Sequence, residues 1–142
     1  MDRRNGLIST RYLMLMAHLI LAISCLMARE ANVKASLPVH HTAEELHSKD
    51  TELIVGVALT ISFLFLELIT FGTGLTMFCS LTGAYSIMAH ASGALLHAYF
   101  ILDMWDCWLY WWIFGFTACL PFTVDLVAIL VNFCLHDVKY KQ

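Results

Sequence analysis

Long apolar runs separated by short polar segments are the main feature of this chain. Four runs stand out, at about residues 7–28, 53–71, 81–102 and 108–135. Each has at least the roughly twenty residues that a helix needs to cross the ~30 Å hydrocarbon core of a bilayer. Because the runs are apolar on all sides rather than alternating, they favour helices over the strands of a membrane barrel. The pattern predicts an all-α, polytopic membrane protein with one domain, a four-helix transmembrane bundle.

The composition supports this interpretation and excludes other classes. Hydrophobic residues make up 60% of the chain and charged residues 13%, whereas soluble domains have about 45–50% and about 25%. A net charge of −3 without a dense basic patch gives no reason to expect nucleic acid as a partner. No phosphate-binding glycine loop, catalytic triad spacing or CxxC pair is present, so we expect no enzymatic activity, no cofactor, no metal and no small-molecule substrate.

The basic residues predict an orientation in the membrane. Five of the eight Lys and Arg residues lie near the two ends of the chain: Arg3, Arg4, Arg11, Lys139 and Lys141. The positive-inside rule therefore predicts cytosolic termini and an extracellular loop at about 29–52. A basic pair before an apolar run also occurs in signal peptides, so cleavage of the first run is an alternative.

Polar residues interrupt the third apolar run at helical spacing. Five small or polar side chains fall on one stripe, within about 80° of arc at 100° per residue: Gly83, Ser86, His90, Gly93 and His97. Small residues let membrane helices approach closely, and Ser or His can form hydrogen bonds across such a contact. The third helix is therefore predicted to lie at the centre of the bundle.

Two acidic residues lie inside other apolar runs. Glu67 belongs to the second run, and Asp125 follows Thr117 and Pro121 at intervals of four in the fourth. A proline frees the carbonyl four residues before it, which predicts a kink near Pro121. At 1.5 Å per residue, Glu67 and Asp125 both lie roughly 5–8 Å to the cytosolic side of the bilayer centre, where they could meet.

Buried ionisable groups allow three interpretations. Each ionisable group costs about 3 kcal/mol or more in a membrane, so Glu67 and Asp125 need a partner, water or neutralisation. The favoured interpretation is polar contact between helices and with partner subunits. A proton or ion path through these acids is an alternative. Haem binding is another, because His18 and His90 lie at matching depth and imidazoles are good axial ligands.

Two further patterns concern the side of the membrane opposite the termini. Thr42 followed by Glu45 is a capping box, which predicts a short helix from about 43 to 50 that could continue into the second run. A loop with solvated acids is the alternative. Aromatic residues crowd the start of the fourth run: Trp105, Trp108, Tyr110, Trp111 and Trp112. The favoured interpretation is an aromatic belt at the membrane interface, and a patch that binds a sugar or a sterol is the alternative.

Several short stretches together resemble the transmembrane protein 107 family of the ciliary transition zone. They are RYLMLMAHL at 11–19, SLP at 36–38, TAEE at 42–45, EL at 67–68, MFCS at 77–80, SIMAH at 86–90, WDC at 105–107, YW at 110–111 and LP at 120–121. Each is weak alone, but they occur in order over nearly the whole chain. The ends of the chain, residues 2–4 and 139–142, do not match well.

The resemblance implies a non-enzymatic membrane component of the Meckel-syndrome and tectonic assembly. Such a protein would support the ciliary gate, cilium assembly, ciliary membrane composition and hedgehog signalling. The expected partners are transition-zone membrane proteins and the lipid bilayer, with both termini in the cytosol. The candidate partner-contact or packing residues are Glu45, Glu67, His90, Gly93, His97, Pro121 and Asp125.

Overall fold

A computed structural model describes residues 3–74 and 80–140, which form helices and short turns. The elements are α1 (Arg3–Ala35), α2 (Ala43–Gly72), α3 (Ser80–Leu102), α4 (Cys107–Phe114), a π-helical turn (Gly115–Cys119) and α5 (Leu120–Tyr140). The last three follow one another without a break and form one C-terminal rod. The architecture is thus a bundle of four helical rods, which confirms the predicted all-α class.

Helices α1 and α2 extend well beyond the predicted apolar runs. Helix α1 has 33 residues, a length of about 50 Å at 1.5 Å per residue. Helix α2 begins at the capping box of Thr42 and Glu45, which confirms that prediction. The segment 29–52, described from the sequence as a loop, is therefore mostly helical, and residues 36–42 alone form the connection.

The turns at that end of the bundle are held by one side chain of α1 and one from the residue that follows it. The buried Asn32 donates hydrogen bonds through Nδ2 to the carbonyls of Phe100 at 2.6 Å and Trp105 at 3.1 Å. Ser36 Oγ accepts from the backbone N–H of Cys107 at 2.8 Å. These bonds satisfy backbone groups where α3 ends and α4 begins, groups that a helix end leaves without intrahelical partners.

The proline in the C-terminal rod follows an irregular turn. Within Gly115–Cys119 the helix widens to a π-helix, and the N–H of Leu120 reaches back to the carbonyl of Gly115. The carbonyl of Ile113 accepts from Thr117 Oγ1 at 2.7 Å. Proline and π-turns are the usual sources of helix irregularity, and this π-helical turn ends two residues before Pro121. The kink at Pro121 stays a prediction.

The outer surface of the bundle suits a lipid environment. Helices α1, α2 and the C-terminal rod are long and apolar enough to span a membrane by length and composition. The polar residues of helix α3, Ser86, His90 and His97, are buried inside the bundle. Large apolar side chains instead point outward, and the bilayer is the solvent that stabilises such a surface. Examples are Leu13, Ile20, Phe65, Leu95 and Phe116. The span limits and the cytosolic placement of the termini stay predictions.

Candidate functional site: a buried polar network

Arg11 lies at one end of a polar network that crosses the interior of the bundle. Its side chain is 2% exposed, although arginine is among the residues least often buried. The guanidinium donates to Asp125 Oδ2, to Glu67 Oε1 at 3.4 Å and, through Nε, to Ser86 Oγ at 3.0 Å. One arginine thereby joins α1 to α2, α3 and α5.

Glu67 continues the network toward the bundle centre. Its Oε1 atom accepts from Ser86 Oγ at 2.9 Å and contacts His90 Nε2 at 2.8 Å. Glu67 is 1% exposed, and the structure shows no hydrogen bond to its other oxygen, Oε2, among the described residues. Helix α2 therefore presents a carboxylate to donors on α1 and α3, as a buried charge requires.

Two histidines meet directly beyond Glu67. The Nδ1 atoms of His18 and His90 lie 3.1 Å apart, and both residues are fully buried. Gly93 makes room for this contact, since a Cβ atom there would lie 2.5 Å from Cε1 and 2.7 Å from Nε2 of the His18 ring. The glycine on α3 thus allows α1 to bring an imidazole against the α3 backbone.

The network ends in a second group of hydrogen bonds near Tyr110. The ring of His97 packs edge-on against His18, with centroids 4.9 Å apart. His97 Nε2 lies 3.1 Å from the Tyr110 hydroxyl, which lies 2.9 Å from Thr60 Oγ1. Gly56 lets the tyrosine approach, because a Cβ atom there would lie 3.0 Å from its ring. All four rods therefore contribute to one continuous polar core.

The acceptors decide the histidine tautomers. His97 Nδ1 lies 2.8 Å from the carbonyl of Gly93, and a carbonyl only accepts, so Nδ1 carries a hydrogen. A neutral His97 then accepts at Nε2 from the Tyr110 hydroxyl. Thr60 Oγ1, which donates to the carbonyl of Gly56 at 3.0 Å, lies 2.9 Å from the same hydroxyl. By the same reasoning, a neutral His90 donates through Nε2 to ionised Glu67 and accepts at Nδ1 from His18.

The charges of the network nearly balance. One guanidinium faces two carboxylates, and with neutral histidines the group carries one excess negative charge. A single added proton on Glu67, Asp125 or His90 makes it electrically neutral. Because an unbalanced charge is costly in a membrane, each carboxylate depends on Arg11 and on its hydrogen-bond donors.

The histidine geometry does not fit a haem. Two imidazoles on opposite sides of a metal, with bonds of about 2.0 Å each, keep their nitrogens about 4 Å apart. His18 and His90 touch at 3.1 Å and leave no space for a porphyrin between them. In the two described ranges, no group of three or more His, Cys, Asp or Glu side chains could hold a metal ion.

The cysteines form no disulfide in the described part of the chain. Cys25 and Cys107 are buried thiols in one apolar cluster, and Cys119 is half-buried. Cys79 and the side chain of Cys134 lie outside what the structure describes.

The structure separates the candidate residues into three groups. Glu67, His90, Gly93, His97 and Asp125 come together in the buried network. Pro121 is buried in α5, one turn before Asp125. Glu45 lies far from the network, exposed at the start of α2, where its carboxylate accepts from the Thr42 N–H at 2.8 Å.

Sequence reasoning placed Tyr110 in the interfacial aromatic belt, but the structure buries it in the network, with 1% of its surface exposed. It also missed Arg11, which was counted as one of the positive charges near the N-terminus, not as a group inside the first span. The available signal was its position four residues into the apolar run, about 10 Å to the cytosolic side of the bilayer centre, close to the depth predicted for Glu67 and Asp125. A basic residue at the depth of two buried acids is a candidate partner for both.

Comparison with known proteins shows where the chain belongs. The model of the transmembrane protein 107 family, described as a transmembrane protein, matches residues 7–129. The chain belongs to the transmembrane protein 107 family.

Relatives of that name come from several vertebrates. The rat protein is 36% identical over 135 residues, covering 95% of this chain and 96% of the relative. The Xenopus laevis protein is 35% identical with 94% and 95% covered, and the human protein is 35% identical with 95% and 96% covered. No solved structure matches the chain.

The match to the transmembrane protein 107 family includes every residue of the buried network. Arg11 and Asp125, the first and last of them in the sequence, both lie within 7–129. Membership favours a transmembrane protein of this family over the haem-binding and proton-coupled alternatives.

Proposed function

We propose that this chain is a non-enzymatic membrane component of the ciliary transition zone, within the Meckel-syndrome and tectonic assembly. The observation that carries the proposal is membership of the transmembrane protein 107 family over nearly the full length. In this role the protein supports the ciliary gate, cilium assembly, ciliary membrane composition and hedgehog signalling. Its partners are other transition-zone membrane proteins.

The buried network suits a structural role. Its polar groups bind one another, and the largest of them, Arg11, is buried among partners on three other helices. Such a core specifies how the rods pack, while the outward apolar side chains stay available to lipid and to neighbouring membrane proteins. We infer that assembly with partners uses the outer faces and the connection at 36–42.

Glu45 is the residue through which this connection can be tested. It is exposed, and it fixes the start of α2 through the capping box with Thr42. Glu45→Gly should weaken incorporation into the partner complex while leaving membrane insertion intact, because the altered turn lies outside the apolar core. Glu44→Gly is a matched control, since Glu44 is a neighbouring exposed glutamate that takes no part in the capping box.

The decisive experiment is localisation of the tagged full chain in ciliated cells, with proximity labelling and mass spectrometry. We expect a discrete signal at the transition zone and enrichment of tectonic and Meckel-complex proteins. Glu45→Gly should reduce that enrichment relative to Glu44→Gly at equal membrane levels. A diffuse signal in the endoplasmic reticulum or plasma membrane without those neighbours would contradict the proposal.

A further inference from the structure

A groove lies outside the buried network, between the end of α1 and the beginning of α2. Its volume is about 510 Å³, and it is lined by apolar and charged side chains together. Val33 and Leu46 contribute apolar surface, and two basic and two acidic side chains surround them. These four charged residues are Arg29, Lys34, Glu30 and Asp50.

The groove lies at the depth of lipid headgroups. Trp111 donates through Nε1 to Glu52 at 3.1 Å, and tryptophan prefers the boundary between hydrocarbon and headgroups. His47 and Asp50 line the groove two to five residues before Glu52 on α2. At 1.5 Å per residue they lie ~3–8 Å beyond that boundary, within a headgroup layer of about 5–8 Å.

The other wall of the groove connects it to the hydrocarbon. Arg29 Nε binds Asp50 Oδ1 at 2.8 Å, which fixes the relative height of the antiparallel α1 and α2. Met27 lines the groove two residues closer to the apolar part of α1 and is 80% exposed. An acyl chain can therefore follow Met27 while its headgroup occupies the groove.

The groove has no net formal charge, because its two basic residues are each paired with an acid: Arg29 with Asp50 at 2.8 Å and Lys34 with Glu30 at 2.6 Å. Arg29 is the cation closest to the hydrocarbon, and Glu30 and Lys34 follow farther along α1. The pairs Arg29–Asp50 and Lys34–Glu30 have side chains that are 33–35% and 59–80% exposed. Exposed pairs of this kind contribute only about 0–1 kcal/mol, so a ligand can replace either partner at little cost.

We propose that this groove binds the headgroup of a zwitterionic phospholipid. The phosphate, next to the glycerol, contacts Arg29, and the ammonium group beyond it lies against Glu30, the next charged residue outward along α1. A neutral groove with both signs of charge matches a neutral headgroup with both signs. An anionic headgroup would place its excess negative charge beside two carboxylates, which disfavours it.

The test uses the full chain in maltoside micelles with a low mole fraction of photoreactive phosphatidylcholine, followed by mass spectrometry of the labelled peptides. Labelling should concentrate on residues 27–50. Arg29→Gln should reduce it about tenfold, because one charge-assisted hydrogen bond to the phosphate is lost. Lys49→Gln is the matched control, since Lys49 binds Glu52 at 2.9 Å and does not line the groove.

A second variant tests the preference for a zwitterion. Glu30→Gln gives the groove a net positive charge and should shift competition severalfold toward phosphatidylglycerol, with the helical circular dichroism unchanged. The proposal is overturned if Arg29→Gln and Lys49→Gln label equally, or if phosphatidylglycerol already competes better than phosphatidylcholine for the unmodified chain. Competition by soluble phosphocholine as strong as that by the lipid would show that a free phosphate ester, not a membrane lipid, is the ligand.

Discussion

Arg11→Met removes the counter-charge of two buried carboxylates and puts an uncharged side chain of similar length in its place. In the bundle, Arg11 is 2% exposed and donates to Glu67, Asp125 and Ser86. Glu67 keeps two donors after the change, from Ser86 at 2.9 Å and His90 at 2.8 Å. Asp125 loses its ion pair with Arg11, so most of the cost should come from this carboxylate.

The expected loss of stability follows from burial. Removing one partner of a buried ion pair costs about 3–5 kcal/mol, because the other charge stays desolvated. An exposed pair loses only about 0–1 kcal/mol. Arg29→Met is the matched control, because the Arg29–Asp50 pair has similar chemistry but side chains that are 35% and 33% exposed. The two variants should therefore differ by at least ~2 kcal/mol.

The assay is equilibrium unfolding of the purified full chain in mixed micelles with increasing dodecyl sulfate, followed by circular dichroism and tryptophan fluorescence. The double variant Arg11→Met with Asp125→Leu should recover a large share of the lost stability, since it removes the stranded charge as well. Equal stability of Arg11→Met and Arg29→Met would refute the buried ion network. So would a double variant less stable than Arg11→Met alone.

Three further changes test the packing and the helix start, each by the same unfolding assay. Gly93→Ala should destabilise the bundle by about 1–3 kcal/mol, because the new methyl group collides with a packed imidazole. Gly72→Ala is the control and should not destabilise it, because there is open space around Gly72. Equal stabilities of the two variants would contradict the close contact at Gly93. Tyr110→Phe should cost about 1–3 kcal/mol by leaving buried hydrogen-bond partners unpaired, and an unchanged midpoint would contradict the network there. Glu45→Gly should lower the free energy of unfolding by about 1–2 kcal/mol relative to wild type, and by more than Glu44→Gly does, because it alone loses the capping box. Equal losses in the two variants would show that the capping box adds no stability.

The stripe on α3 illustrates how much of the site follows from local pattern. Ser86, His90, Gly93 and His97 recur at helical spacing, and all four are buried in the structure. Helical periodicity depends on the backbone alone, so it identifies residues on a common face without knowledge of the partner helix. The capping box at Thr42 is likewise local, because its two residues bind each other's backbone.

The pairing across the bundle does not follow from local pattern. Arg11 and Asp125 are 114 positions apart, and no periodicity within one helix relates them. The contact of His18 with His90 rather than with a haem depends on the close approach that Gly93 allows between α1 and α3. Helix rotation and interhelical distance set both contacts, and these arise when all the rods pack together.

The sequence by itself determined a helical membrane bundle, its apolar runs, the acids inside them and the start of α2, because each depends on length, periodicity or neighbouring residues. Tertiary structure decided that Arg11 neutralises the acids, that the histidines bind one another and that the segment 29–52 is mostly helix. The physical reason is that a buried charge is stable only beside a particular partner. The packing of all four rods selects that partner.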